Sequence, residues 1–170
     1  AAVKADPQDG EARFSLFLYE LDAPGILGGS RRKAREQAQA LTKIDPLRGR
    51  HALGLLAERS RDFEEAARQY ERAEMEFPSS PAPLVWSARV AARRGDFPDS
   101  FALLERVLRE HPTEISAAYE LAKVALESGR NLPRARECLE LYLRTEPAEG
   151  DPSIDSAREL LARVIEAIGR

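Results

Sequence analysis

Little in these 170 residues invites chemistry. There is one cysteine, Cys138, and there are two histidines, His51 and His111. A single thiol cannot close an internal disulfide, so cysteine usage does not separate a reducing from an oxidising compartment, and cytoplasm and periplasm both stay open. No apolar run approaches the roughly 20 residues that a membrane-crossing helix needs, which excludes membrane insertion by a helix. Lys plus Arg number 26 against 29 Asp plus Glu, a net charge of -3. The basic excess that a phosphate backbone calls for is missing, and nucleic acid is not an expected partner. The chain opens on Ala1 rather than methionine, which reads as a mature or trimmed sequence and leaves room for a leader already removed.

Catalytic groupings are equally scarce. The two histidines fall in different stretches, and His111 suits the negative end of a helix. Cys138 has no evident base and reads as a small apolar side chain beside the inner face of a helix. Paired acids such as Glu64 and Glu65 read as solvated helix face. No metal-ligand set, nucleotide motif or triad emerges, so neither an enzyme nor a cofactor is expected. The one tempting motif is the loop Asp22–Ser30, where Gly25, Gly28 and Gly29 precede Ser30, Arg31, Arg32 and Lys33. Free backbone amides there can cradle an anion. No GK[ST] follows and no strand precedes it, and the simpler reading is a glycine-supported turn with Ser30 as helix N-cap.

What the chain does contain is helical periodicity, repeated. In Leu47–Pro78, Leu53, Gly54, Leu56 and Ala57 fall on one face of a first helix, and Ala66, Ala67, Tyr70 and Ala73 on one face of a second. Arg61 and Asp62 make the break, and Asp62 with Glu65 three residues on is a capping-box signature. Gly54 and Ala66 are small where large residues would hold the helices apart, and Tyr70 fills the space beside them. Two such helices cannot bury their own apolar faces and need neighbours before and behind.

The rest of the sequence supplies those neighbours in phase. Residues 1–7 read as the remnant of a preceding helix. A unit at about 10–46 pairs a helix containing Phe14, Leu16, Phe17 and Leu18 with one whose inner face is Ala34, Ala38 and Leu41. A third unit, 81–112, closes 34 residues after Pro78 (112 minus 78), a spacing typical of helical repeats. A fourth, 115–147, is one residue longer, with the extra residue in the Gly129-Arg130-Asn131 turn. It faces Leu121, Ala122, Ala125, Ala135, Leu139 and Tyr142 inward. A last helix, 153–168, is unpaired, and Arg158, Glu159, Arg163 and Glu166 should cover its outer side if it acts as a cap.

Leu53, Gly54, Ala66, Tyr70, Ala73 and Pro78 resemble the signature slots of the tetratricopeptide repeat family, in a bacterial-type form. Leu84, Ala88, Ser100, Leu104, Val107 and Pro112 resemble them more loosely. Arg50 stands where the family favours tryptophan, and Ser100 replaces an alanine. The resemblance covers nearly the whole chain and implies an all-α fold, a right-handed α-solenoid of about four antiparallel helix pairs plus a C-terminal capping helix, forming a single domain. It also implies that first helices line a concave groove.

The family's inward slots fall on Phe14, Leu18, His51, Leu55, Val85, Trp86, Arg89, Tyr119 and Lys123. Aromatics give large contact area at low entropic cost and the cations can pair with carboxylates, so the expected ligand is a peptide with apolar and acidic residues. The carboxylate clamp of chaperone-binding members is not expected, because Phe14, Leu18, Ala52, Ala82 and Trp86 occupy its positions. Function is therefore expected to be non-catalytic protein binding by a monomer. The alternative is an assembly subunit that self-associates weakly or stacks on another domain through its chain ends.

Overall fold

The structure, a computed structural model, describes residues 8–23, 29–148 and 150–170, and all regular structure among them is α-helix. The predicted remnant helix at residues 1–7 and most of the Asp22–Ser30 loop lie outside the described residues. The helices are α1 (Gly10–Asp22), α2 (Arg31–Ile44), α3 (Pro46–Arg59), α4 (Phe63–Glu76), α5 (Ala82–Arg93), α6 (Phe97–Glu110), α7 (Ser116–Ser128), α8 (Leu132–Tyr142) and α9 (Ile154–Ile168). None is long and apolar enough to cross a membrane. The chain divides into two compact units, Ala1–Pro83 and Leu84–Arg170, each with its own apolar core.

Helix starts follow the polar punctuation. Asp9, Ser30, Asp45, Asp62, Asp96 and Ser153 each accept a hydrogen bond from the backbone N–H three residues on, which satisfies an otherwise orphaned donor. Asp45 does more than the sequence suggests. It ends α2 with its own N–H on Leu41 O and caps α3 through Arg48 N, so Pro46 opens the next helix instead of closing the previous one. The expected capping box at Asp62 is only half made. The Asp62 N–H donates to Ala57 O at 2.9 Å, leaving Glu65 free to bind Arg68 and Gln69. Arg61 holds φ 59° in that turn and Gly95 holds φ 80° in the matching turn between α5 and α6, with the same pair of backbone bonds. The longer turn after α7 holds two left-handed residues, Gly129 and Asn131.

In the first unit Phe17, Ala34, Ala38, Leu41 and Ala52 form the core, with Leu53, Leu55 and Leu56 packed half-buried against it. The periodicity put Leu53, Gly54, Leu56 and Ala57 on one inner face; Gly54 and Ala57 are buried, together with Gly49, Ala52 and Glu58, whereas Leu53 and Leu56 are half-buried. Small residues win because the helices approach so closely: a Cβ at Gly49 would lie 2.6 Å from the Thr42 backbone, and one at Gly54 2.1 Å from the Tyr70 ring. Tyr70 is fully buried, and its hydroxyl donates to Glu58 Oε1 at 2.6 Å. Arg50 finds polar compensation for the missing aromatic. It binds both carboxylate oxygens of Glu76, at 2.6 and 3.1 Å, and Gln69 Oε1 at 3.2 Å.

That fork sets an acid limit. The Arg50 hydrogen bond holds the Glu76 carboxyl below the usual carboxylate range, and Gln69 and then Arg68 do the same for Glu65. A carboxyl depressed on folding stabilises above its unfolded pKa, and that contribution is lost as pH falls through the folded value. Urea midpoints are therefore expected to fall between pH 6 and pH 3, and Arg50→Met is expected to flatten part of that slope. Equal slopes for the two proteins would count against the fork.

In the second unit the small faces of α7 (Ala117, Ala118, Ala122, Ala125) and the larger Leu104, Val107, Leu121, Leu139 and Tyr142 fill the core, and α9 adds Ala157, Leu160 and Val164. Arg158, Glu159, Arg163 and Glu166 are exposed on α9, as the pattern predicts for an outer side. Ser100 occupies an alanine-sized slot with no exposure, and its hydroxyl has no hydrogen-bond partner among the described residues. Ser100→Ala is expected to stabilise by about 1 kcal/mol, since a buried unpaired hydroxyl is costly. Chemical denaturation followed through Trp86, which lies in this unit, measures it.

Candidate functional site

The sequence-predicted residues fall into two sets, one in each unit. In the first, α1 carries Phe14 and Leu18 and α3 carries His51 and Leu55. Phe14 stacks on His51 with centroids 5.3 Å apart and on Phe17 at 5.6 Å, and His51 lies 6.2 Å from the Tyr70 ring. The four rings form a row from α1 through α3 to α4. Phe17 and Tyr70 are sealed in the core, so they fix the orientation of Phe14 and His51, which keep part of their surface outside. Leu18 is 36% exposed, and Leu55 packs half-buried against the core. Asp22 and Arg59 form an ion pair between the far ends of α1 and α3.

In the second set, Trp86 and Arg89 on α5 are half-buried, whereas Val85 is 7% exposed and belongs to the core. Tyr119 on α7 is half-buried and lies 5.7 Å from the Tyr142 ring. Burial raises its hydroxyl pKa above the ordinary value, helped by Glu120 and Glu159 and opposed by Arg163. Lys123 is exposed and its ammonium sits between both oxygens of Glu120, at 2.9 and 3.0 Å. The structure thus joins Phe14 to His51 and places Tyr119 beside α9, a neighbour that slot matching did not name. Glu159 and Arg163 carry no signal for that role except their helix phase. Glu58 and its bond to Tyr70 were equally invisible, since an acid in a polar run gives no sign of burial.

Cys138 is 1% exposed, and burial pushes its thiol up to about 11, the opposite of an activated nucleophile. At the end of the glycine loop Ser30 caps α2 through Lys33 N, while its own N–H donates to Glu20 O at 2.9 Å. Both amides are thereby spent, and Lys33 and Arg32 pair with Glu20 and Glu36. No group of three or more possible metal ligands occurs among the described residues.

Comparison with known proteins follows the helix pairs. Residues 51–115 match one family model and residues 91–161 another, both described as tetratricopeptide repeat. No curated protein matches the chain in sequence. Among solved structures it is similar to a tetratricopeptide repeat protein from Parabacteroides merdae ATCC 43184, with a TM-score of 0.73 at 16% identity over 96% of this chain and 60% of that one. It is similar also to a putative kinesin light chain with nearly identical TPR-like repeats from Podospora anserina, with a TM-score of 0.65 at 22% identity over 96% and 88% of the two chains. MamA follows at 0.51 and 15% identity, over 99% and 83%. The chain spans three fifths of the length of the Parabacteroides protein. At such identities the likeness is one of fold, an all-α solenoid.

Proposed function

Because the chain belongs to the tetratricopeptide repeat family, whose repeats generally mediate protein–protein interactions, we propose that it is a non-catalytic scaffold that holds a partner peptide on the faces of its first helices. The observation that carries this reading is the pre-set aromatic surface. Phe14 and His51 are half-buried rings stacked on each other and set against Phe17 and Tyr70, and Tyr119 is a half-buried ring packed on the second core beside Tyr142; Trp86 is half-buried on α5. Rings already fixed in the free protein lose little entropy on binding. Arg89 in the second set, and Lys123 by exchanging Glu120 for a ligand acid, favour a ligand with carboxylates next to apolar side chains.

The test is capture of a partner from extract by the wild-type chain and by the Trp86→Ala/Arg89→Ala variant, after circular dichroism shows equal helicity. A partner held by the first and lost from the second supports the reading. Equal retention by both sinks it for this face. A second reading, assembly through the terminal helix, is favoured by Ile165 and Ile168 of α9, which are 48% and 44% exposed. Sedimentation across a concentration series separates the two, because an assembly subunit gains mass and a monomeric scaffold does not.

A further inference from the structure

The first unit has a second feature suited to a ligand, on the opposite side of α3 from His51 and Leu55. At about 100° per residue, Leu53 and Leu56 project roughly half a turn away from that pair. There a cleft of about 290 Å³ opens between α2, α3 and α4. It is lined by the apolar Leu53, Leu56 and Ala57 and by the polar or charged Arg35, Ser60, Asp62 and Glu65. The volume sits just under the roughly 300–1,000 Å³ of small-molecule sites, and no metal-ligand set lines it, so a single side chain suits it better than a cofactor.

The charges that line it are not equivalent. Asp62 is occupied in capping Glu65 N, and the Glu65 carboxylate is bound to Arg68 and Gln69. Arg35 is exposed and makes no ion pair or hydrogen bond among the described residues. In the second unit the corresponding seam between α6 and α8 is bridged: Arg134 binds both oxygens of Glu105, at 2.8 and 3.1 Å. Arg134 directly precedes the buried Ala135, as Glu65 precedes Ala66, and Glu105 follows Ser100 by five residues, as Gln39 follows Ala34. Gln39 and Glu65 form no such bridge. The first unit lacks the clasp that bridges this seam in the second, and its apolar lining lies beside a cation with no ion pair among the described residues.

We propose that this cleft is a second docking site, for a partner segment that inserts one aliphatic or aromatic side chain onto Leu53 and Leu56 and sets a neighbouring carboxylate against Arg35. It is independent of the first-helix faces. The probe is a random-peptide display library depleted against the Arg35→Glu variant and then selected on the wild-type chain, both confirmed folded by circular dichroism. Enrichment of peptides with an apolar residue beside Asp or Glu is expected. Their synthetic versions should bind the wild type at least tenfold more tightly than Arg35→Gln, and should bind Trp86→Ala/Arg89→Ala as tightly as the wild type. Failure to enrich any sequence, enriched peptides without an acid, or binding lost on Trp86→Ala/Arg89→Ala instead would each overturn the proposal, and only the last would favour the first-helix faces.

Discussion

Gly54→Ala is expected to destabilise the first unit by about 3 kcal/mol, although helix propensity alone predicts the opposite sign. In an exposed helix interior the same change gains up to about 1 kcal/mol. At position 54 the new methyl would sit 2.1 Å from Tyr70 Cε1, 2.4 Å from Cζ and 2.7 Å from the hydroxyl oxygen. The ring cannot swing aside cheaply. It is fully buried, and its hydroxyl is held by Glu58 at 2.6 Å, so relief requires either moving α4 or breaking a bond to a buried carboxylate. Overpacking of this kind costs about 1–3 kcal/mol and sometimes more, and the lost charge-assisted bond puts the estimate at the upper end. Tyr70→Leu shortens the side chain and should rescue Gly54→Ala in part, with a coupling of at least 1 kcal/mol in the double-mutant cycle. Circular dichroism in urea and amide exchange across Pro46–Glu76 give the readout. Additive single and double variants would mean that the two residues do not share the space.

The Gly54–Tyr70 fit was legible because both residues lie on strong 3.6-residue patterns, and a glycine opposite a large aromatic has an obvious steric meaning. The same logic placed Ala34, Ala38 and Leu41, and Ala135, Leu139 and Tyr142, all of them now seen fully buried. Patterns failed where one residue serves two elements. Asp45-Pro46 reads as a stop because proline often follows a helix, yet Pro is equally at home in a first turn, and only the position of Arg48 N shows that Asp45 caps forwards. Long-range polar pairing was illegible for a different reason. Arg50 looks like a defect at an aromatic slot until Glu76, 26 residues on, is seen to hold it. At the candidate sites, the faces could be assigned from helix phase, but stacking of Phe14 on His51 and the absent clasp beside Arg35 depend on relative helix placement, which no local pattern encodes.

The second large effect is expected at Tyr142, which ties the terminal helix to the second unit. Its side chain is fully buried in the core, and its hydroxyl donates to Pro152 O at 2.6 Å, in the link that leads into α9. Tyr142→Ala removes the ring and is expected to cost about 3–5 kcal/mol, read as a large fall in the denaturation midpoint reported by Trp86. Tyr142→Phe keeps the ring and loses only the bond, about 1 kcal/mol. The smaller variant is the more informative one, because amide exchange should accelerate in Ile154–Ile168 while Phe97–Glu110 stays protected. Burial first, then Asp151 and Tyr119, pushes the Tyr142 hydroxyl up to about 12 from its ordinary 10.0. For an acid whose folded pKa is raised, the stabilisation is complete below the unfolded value and disappears as pH rises through the folded one. Wild type should therefore lose stability between pH 10 and 12 more steeply than Tyr142→Phe. If the Phe variant leaves both α9 exchange and the alkaline slope unchanged, the hydroxyl is no tether, and the packing of Ala157, Leu160 and Val164 alone holds the helix in place.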